Sequence, residues 1–366
     1  MASSAKVGRL GNPETTLGTD PRLHVNLLQP LTALGLDVET YVPPEITPDL
    51  PLEHLATFAR AVEVGLEGVY SSVDYSVPLP GDPNASRKLT TSEEVITGSD
   101  GNQIKLTFYR PTDAEGPLPA ILYIHGGGMA ILHTDIPICT TWAQALARSG
   151  MVAVLVDYRN ALGPDGIVPF PAGLNDCADA TRWVDAHREK LGISKIALQG
   201  ESGGGNLVIA TALKAKQEGW IQAIDGVCAN VPFISGAYDE PVKWMLQELP
   251  SLVECDGYIL ANKSLRIFAK LYDPTGENAK NHLAWPYWAT EEELKGLPPH
   301  LITTSELDPL KDEGNAFARR LLRAGVPTVA KMNIGMIHAG EIVFRNNVPD
   351  VFLEYVSSVK GFIDRL

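Results

Sequence analysis

One short segment, residues 196–208, most constrains what this 366-residue chain can fold into. It begins with the apolar run Ile196–Leu198, continues as Gly200-Glu201-Ser202-Gly203-Gly204 and leads into a helix-like pattern past Asn206. Where a strand turns abruptly into a helix, glycines must flank the turning residue, because side chains there collide with neighbouring backbone. The turn lifts the hydroxyl of Ser202 clear of the backbone, above a helix N-terminus that favours developing negative charge. Glycine-rich patterns also recur by chance, so the flanking strand and helix are what make Ser202 a candidate nucleophile.

A serine hydroxyl is a poor nucleophile at neutral pH and needs a general base. The chain has eight histidines. His338 differs from the others because it follows the apolar run Val329–Ile334 and lies in a Gly-rich loop. A loop at the C-terminal end of a late strand can bring an imidazole over the serine. We therefore predict that His338 is the base.

The third member must be a carboxylate that orients the imidazole and stabilises its cation. Asp308 leaves the strand-like run Leu301–Thr304 in a loop whose backbone is fixed by Pro309. Two rivals are near: Glu306 is closer to the strand, and Asp312 is typical of a first helical turn. Asp308 is the prediction, and the resulting chain order of nucleophile, acid and base is the one expected for a serine at this kind of turn.

A run of glycines ends another strand. The apolar run Ala120–Ile124 leads into His125-Gly126-Gly127-Gly128-Met129. Consecutive glycines let backbone N–H groups approach a tetrahedral intermediate without Cβ clashes, as an oxyanion hole requires. A phosphate-binding loop is the alternative. It is disfavoured because no G-x-x-x-x-G-K-[ST] follows and neither glycine cluster completes G-x-G-x-x-G.

From about residue 93 the chain alternates between apolar strands and amphipathic helices. This alternation predicts an α/β protein with a mostly parallel central sheet and helices on both faces. The predicted strands are 94–96, 104–109, 120–124, 152–156, 196–198, 226–231, 300–304 and 328–333, the first two forming a hairpin. The predicted helices of this region are 138–149, 176–191, one past 206, 312–324 and 350–366.

Two segments depart from the alternation, and they define the predicted domains. Residues 1–90 are Pro-rich, with two helical patterns of which Pro30 interrupts the first, and are predicted to be an N-terminal arm or cap. Residues 235–290 are aromatic and irregular, and are predicted to be a cap insertion over the sheet edge where open α/β folds bind ligands. The catalytic core is then built from residues 91–234 and 291–366.

Charge and cysteine usage exclude several classes of partner. The net charge of −14 repels nucleic acid and anionic membrane surfaces, so neither is an expected partner. The N-terminal residues lack the apolar core of a signal peptide, and no run reaches the length of a membrane span. The four cysteines form no C-x-x-C pair, which favours structural thiols in a reducing cytoplasm over disulfides or a metal site. A cytoplasmic location is the expectation.

Several motifs in order resemble the hormone-sensitive-lipase family of α/β-hydrolases. The resemblance covers the chain from roughly residue 93 to the end. Its motifs are His125-Gly126-Gly127-Gly128, Val156-Asp157-Tyr158-Arg159, Phe170-Pro171-Ala172, Gly200-Glu201-Ser202-Gly203-Gly204-Gly205-Asn206, Asp308-Pro309-Leu310-Lys311-Asp312-Glu313-Gly314 and His338. The resemblance implies an α/β-hydrolase fold with a cap.

Residue by residue, the resemblance also implies a site. Ser202 corresponds to the nucleophile, His338 to the base and Asp308 to the acid. The backbone N–H groups of Gly127, Gly128 and Gly203 correspond to the oxyanion hole. His125 organises the Gly loop, the name used here for residues 125–129. The remaining motif positions are Gly126, Gly200, Glu201 and Gly204. The family needs no cofactor or metal.

Two positions and one four-residue segment depart from the family pattern. Glu201 stands where Asp is common, Asn160-Ala161-Leu162-Gly163 replaces the usual Leu-Ala-Pro-Glu, and Ala339 stands where Gly followed by an aromatic is usual. The last two leave pocket shape and substrate range open.

The resulting prediction is a serine carboxylesterase, a carboxylic ester hydrolase that acts with water on small to medium esters or lactones through an acyl-enzyme. One alternative is an amidase or peptidase with the same triad. Another is a non-catalytic ligand-binding protein on the hydrolase scaffold. The oligomeric state is left open.

Overall fold

The computed structural model describes residues 8–366. Within them the chain forms ten strands: β1 Leu89–Thr97, β2 Gln103–Pro111, β3 Leu118–Ile124, β4 Val152–Asp157, β5 Leu162–Gly163, β6 Gly166–Ile167, β7 Ile193–Glu201, β8 Gly226–Asn230, β9 His300–Leu307 and β10 Thr328–Ile337. Eight of these make one sheet in the spatial order β1-β2-β4-β3-β7-β8-β9-β10, and β5 and β6 form a separate hairpin.

The sheet is mostly parallel, as predicted. β1 and β2 form an antiparallel hairpin, β2 pairs antiparallel with β4, and the remaining neighbours of the large sheet are parallel. The hairpin closes where the sequence predicted a turn, with Gly98 N donating to Asn102 O at 2.8 Å. β3, β4 and β8 are almost entirely buried because helices cover both faces of the sheet. The predicted fold class is confirmed.

Thirteen α-helices lie within residues 8–366, and none of them combines the length and apolar character needed to cross a bilayer. They are α1 Val25–Ala33, α2 Leu52–Ser71, α3 Pro137–Arg148, α4 Ala172–Ala186, α5 Arg188–Leu191, α6 Gly203–Glu218, α7 Val242–Glu248, α8 Ser251–Glu254, α9 Asn262–Tyr272, α10 Glu291–Leu294, α11 Lys311–Arg323, α12 Gly340–Val343 and α13 Pro349–Asp364.

Several predicted elements differ from the structure. α1 runs through Pro30, which was expected to interrupt it, and β1 begins at Leu89 rather than at residue 94. The predicted helix 176–191 begins earlier, at Ala172, and is divided at His187, whose ring stacks on Trp183 and bonds to its backbone carbonyl. The predicted strand 328–333 continues to Ile337 through a bulge at Gly335, whose φ of +71° favours glycine. His338 therefore follows a bulged strand directly, and the predicted Gly-rich loop is shorter than expected.

The N-terminal segment packs against the part of the core that leads to His338. Leu17, Leu27 and Leu31 share one apolar cluster with residues that include Tyr258 and Ile337. Arg22 pairs with Asp20 and with Glu254 of α8, and Glu254 also pairs with Lys311. The predicted division into arm, core and insertion stays a prediction, although residues 235–290 do contain α7, α8 and α9 and much of the aromatic packing.

Candidate active site

Ser202 lies at the turn between β7 and α6, with φ 56° and ψ −118°, a region that non-glycine residues rarely adopt. The flanking glycines are required by space. A Cβ on Gly204 would lie 1.9 Å from Ile124 O, and one on Gly200 would lie 2.5 Å from the Gly204 backbone. The strained residue is held from both sides, because Ser202 N donates to Asn230 O at 2.9 Å and Ser202 O accepts from Phe233 N at 3.0 Å.

Asp308 and His338, predicted from separate parts of the chain, meet at the C-terminal edge of the sheet. Nδ1 of His338 is 2.8 Å from Oδ2 of Asp308, which is fully buried. An ionised carboxylate only accepts hydrogen bonds, so Nδ1 carries the proton and Nε2 is left free to accept one. The backbone N–H of Leu310 donates to Oδ1 of Asp308 and fixes its orientation.

Both rivals for the acid position have other partners. Glu306 accepts a hydrogen bond from Gly335 N at 2.8 Å, and Asp312 accepts one from Ser251 N at 2.7 Å. Neither bonds to His338 in the described part of the chain. Of the three carboxylates weighed, the geometry favours Asp308.

Opposing effects act on the pKa of His338. Burial lowers the pKa of the imidazole, but Asp308, Glu341 and Glu201 together raise it above its ordinary value. Within residues 8–366, no hydrogen bond joins His338 to the Ser202 hydroxyl. Such a contact is often long before substrate binds and tightens only in the reacting complex. The structure therefore brings the acid and the base together, and the serine lies at the elbow that follows β7.

Backbone amides cluster beside the serine. A Cβ on Gly203 would lie 2.8 Å from Gly128 N and 2.5 Å from Met129 N, so the elbow and the Gly loop are in close contact. Across residues 8–366, the N–H groups of Gly127, Gly128 and Gly203 donate to no protein acceptor. Gly127 has φ +101°, and a Cβ there would lie 2.2 Å from Ile131 O, which explains why glycine is needed. Unpaired donors next to a serine suit a developing oxyanion.

His125 is a structural part of the Gly loop. It is fully buried, its Nδ1 lies 2.7 Å from Gly126 O, and its ring stacks on Tyr158 at 4.5 Å. The hydroxyl of Tyr158 donates to His125 O at 3.0 Å. Burial lowers the pKa of His125 to about 4, so the ring is neutral near pH 7. These contacts agree with the predicted organising role.

Glu201 does more than the sequence indicated. Its Oε1 accepts from Gly126 N at 2.7 Å and from the Tyr123 hydroxyl at 2.9 Å, which ties the elbow to the start of the Gly loop. Burial raises the pKa of Glu201 to about 7, although both hydrogen bonds act to lower it. Tyr123 was missed from the sequence. The available signal was a hydroxyl-bearing residue within an otherwise aliphatic strand.

Side chains of α2 and α9 both reach the segment of the Gly loop and the residues that follow it. The carboxylate of Glu63 on α2 accepts a hydrogen bond from Leu132 N at 2.7 Å. The Phe268 ring of α9 packs against Gly128, and a Cβ on Gly128 would lie 3.2 Å from that ring. Leu132 has φ +73° and Met129 has φ 58°, values in the left-handed region that non-glycine residues rarely adopt. The contacts from α2 and α9 stabilise this conformation.

A mostly parallel α/β sheet, a serine at a strand-to-helix turn and an Asp–His pair at the same edge together define an α/β-hydrolase. The chain belongs to this family, because a model of the α/β-hydrolase fold matches residues 121–341. Among solved structures, it is similar to brefeldin A esterase, a bacterial homologue of human hormone-sensitive lipase, with 46% identity, a TM-score of 0.94 and 98% of each chain covered. Esterase Est22 is 32% identical, with a TM-score of 0.81 over 96% of this chain and 100% of that one.

Characterised relatives point to the same class. Carboxylesterase NlhH of Mycobacterium tuberculosis (strain ATCC 25618 / H37Rv) is 34% identical over 265 residues, which cover 70% of this chain and 77% of that protein. Esterase LipI of the same strain is 30% identical over 297 residues, 80% of this chain and 86% of that protein. The predicted resemblance to the hormone-sensitive-lipase family and the predicted enzyme class, a carboxylic ester hydrolase, are confirmed. The residue roles and the cytoplasmic location stay predictions.

Proposed function

We propose that this protein is a serine carboxylesterase that uses Ser202, His338 and Asp308 as its triad. The observation that carries the proposal is the 2.8 Å contact between His338 Nδ1 and Asp308 Oδ2 at the sheet edge that also carries the Ser202 elbow. This contact leaves Nε2 as the acceptor that a serine hydroxyl needs.

The proposed reaction has two halves. Ser202 Oγ attacks the ester carbonyl carbon while His338 Nε2 takes its proton, and the amides of Gly127, Gly128 and Gly203 receive the oxyanion. When the carbonyl re-forms, the C–O bond to the leaving alcohol breaks and His338 returns the proton to that oxygen. Water then attacks the acyl-enzyme, again with His338 as base, and releases the carboxylic acid and free Ser202.

The residues around the Gly loop support a proposal for the substrate class. Phe268 of α9 packs against the Gly loop, which ends at Met129. Leu132 follows the loop and donates its backbone N–H to Glu63 of α2. The apolar side chains among these residues support esters or lactones of modest size as substrates. Because brefeldin A esterase is 46% identical over 98% of the chain, we propose the macrolactone brefeldin A as the first lactone to test.

The first experiment is intact-mass analysis after incubation with a small fluorophosphonate. A single adduct on the wild type and none on Ser202→Ala is the expected result. His338→Ala should react far more slowly with the probe, whereas a variant of an exposed residue such as His54→Ala serves as the matched histidine control. No adduct on folded wild-type protein would refute the triad and favour a binding-only role.

The second experiment separates bond and substrate types. Matched ester and amide substrates with the same acyl group are compared, followed by short esters and lactones including brefeldin A. Faster ester than amide turnover is expected. Equal or faster amide turnover would overturn the esterase assignment in favour of an amidase with the same triad.

A further inference from the structure

A polar pair that the proposed reaction does not use lies behind the candidate site. Asn230, the last residue of β8, and Glu341, in α12, are both fully buried. Nδ2 of Asn230 donates to Oε1 of Glu341 at 2.6 Å. This pair could not be predicted from the sequence, because the two residues lie more than a hundred positions apart.

Hydrogen bonds of this pair link the serine elbow to the segment that carries the base, and Asp308 takes no part in them. The backbone carbonyl of Asn230 accepts the hydrogen bond from Ser202 N, and its side chain holds Glu341. Glu341 follows His338 by three residues, across Ala339, whose left-handed φ of 49° directs the chain into α12. A displacement of Glu341 therefore moves the residues that carry the imidazole relative to the serine.

Glu341 is a costly residue to bury for packing alone. Its Oε2, like Oδ1 of Asn230, has no hydrogen-bond partner among residues 8–366. A buried carboxylate with one oxygen unpartnered carries a desolvation penalty that an apolar side chain avoids. A neighbour that becomes cationic during turnover offsets this penalty, and His338 is such a group.

The groups that face Glu341 come from four directions. They are Asn230 from β8, Asp308 after β9, His338 and, from α13, Tyr355. Burial raises the pKa of Glu341 and Asp308 raises it further, while Asn230 and His338 lower it. In return, Glu341 is one of three carboxylates, with Asp308 and Glu201, that raise the pKa of His338.

We propose that Glu341, held by Asn230, is a positioning residue for the base: it fixes the His338 segment against the serine elbow and adds a second negative charge that favours the imidazolium. This inference rests on the proposed function, since it takes His338 as the base. Among residues 8–366, the side chain of Glu341 hydrogen-bonds to Asn230 and to no member of the proposed triad.

Two variants separate position from charge. Glu341→Ala removes both the hydrogen bond to Asn230 and the negative charge. We expect kcat for an ester to fall about 100-fold, the loss that a misplacement of about 1 Å can cause, and KM to change less than about twofold. Glu341→Gln keeps an oxygen that accepts from Asn230, so most of kcat should return. Because the negative charge is lost, the pKa of His338 falls and the acid limb of the kcat/KM profile should move about 0.5–1 unit to lower pH.

The matched control is Asp176→Asn, a fully buried carboxylate on α4 that pairs with Arg159. It should lower the thermal midpoint of unfolding and leave the acid limb in place, which separates lost stability from an altered base. Circular dichroism checks that each variant is folded.

Two outcomes overturn the inference. One is wild-type kcat in Glu341→Ala. The other is an equal loss in both variants with an unmoved acid limb, which is the behaviour of a merely structural residue. Fluorophosphonate labelling distinguishes this failure from that of the proposed function: an unlabelled wild type refutes the triad, whereas a labelled wild type with unaffected Glu341 variants refutes only the positioning role.

Discussion

The buried carboxyl of Glu313 should make the protein less stable as the pH rises from 5 to 8. Glu313 accepts hydrogen bonds from Ile234 N at 2.6 Å and Tyr238 OH at 2.9 Å and also from the Ser235 hydroxyl, so it anchors the segment where residues 235–290 begin. Burial nevertheless raises its pKa from an ordinary 4.5 to about 7. The change Glu313→Gln removes the ionisable group and keeps the shape.

The sign and size follow from linkage. Between pH 4.5 and 7 the folded protein holds the Glu313 proton that the unfolded chain releases, so stability falls as pH rises through this window. With these two pKa values, the wild type loses about 2.5 kcal/mol of unfolding free energy between pH 5 and 8 through this group. Glu313→Gln should therefore gain about 2.5 kcal/mol relative to the wild type over the same interval, whatever its constant cost in hydrogen bonding.

The assay is urea unfolding at several pH values, followed by tryptophan fluorescence. Glu93→Gln, at an exposed position on β1, is the control and should parallel the wild type. Parallel curves for Glu313→Gln and wild type would show that Glu313 ionises normally in the folded state and would refute the reasoning. Glu201, with a pKa also raised to about 7, contributes a second slope of the same sign that this variant leaves in place.

Three further changes test the site. Tyr123→Phe removes a donor to Glu201 and should cost about 1–2 kcal/mol at pH 8 but less at pH 5.5, where that carboxyl is protonated, as urea unfolding at the two pH values will report. Gly127→Ala places a methyl 2.2 Å from Ile131 O and should lower kcat by about 10²–10³, as the loss of an oxyanion donor does; an unchanged kcat in a folded variant would contradict the assignment. Asp308→Asn should lower kcat about 10⁴-fold with little change in KM, and a smaller loss than Glu306→Gln would point to the rival carboxylate.

The main elements of the sheet and the candidate triad could be predicted because both leave local signals. A buried parallel strand appears as a short apolar run, and the elbow requires glycine where side chains have no space. Asp308 was separable from Glu306 and Asp312 because Pro309 places it in a loop, and the structure gives each rival a different backbone partner. Element ends were less predictable, as the bulge at Gly335 illustrates.

The contacts that support the site could not be predicted from local sequence patterns. Tyr123, Asn230 and Glu341 matter through partners far away in sequence, and a single polar residue in an apolar run has no preferred partner until the sheet order is known. Their pairing depends on which strands become neighbours. β7 lies between β3 and β8, and this order brings Tyr123 and Asn230 to either side of the residues at the elbow.

The N-terminal segment shows the same limit and changes the interpretation of residues 1–90. Their sequence indicated only an N-terminal arm or cap. In the structure His24 N donates to Gly335 O at 2.9 Å, and a Cβ on Gly335 would lie 2.8 Å from Arg22 O. Gly335 forms the bulge three residues before His338, so residues 22–24 support the strand that leads to the base, while Glu63 of α2 holds Leu132 beyond the Gly loop. The arm is therefore expected to govern kcat as well as substrate access, and a deletion of residues 1–24 should lower kcat even for the smallest esters, whose entry no lid can restrict.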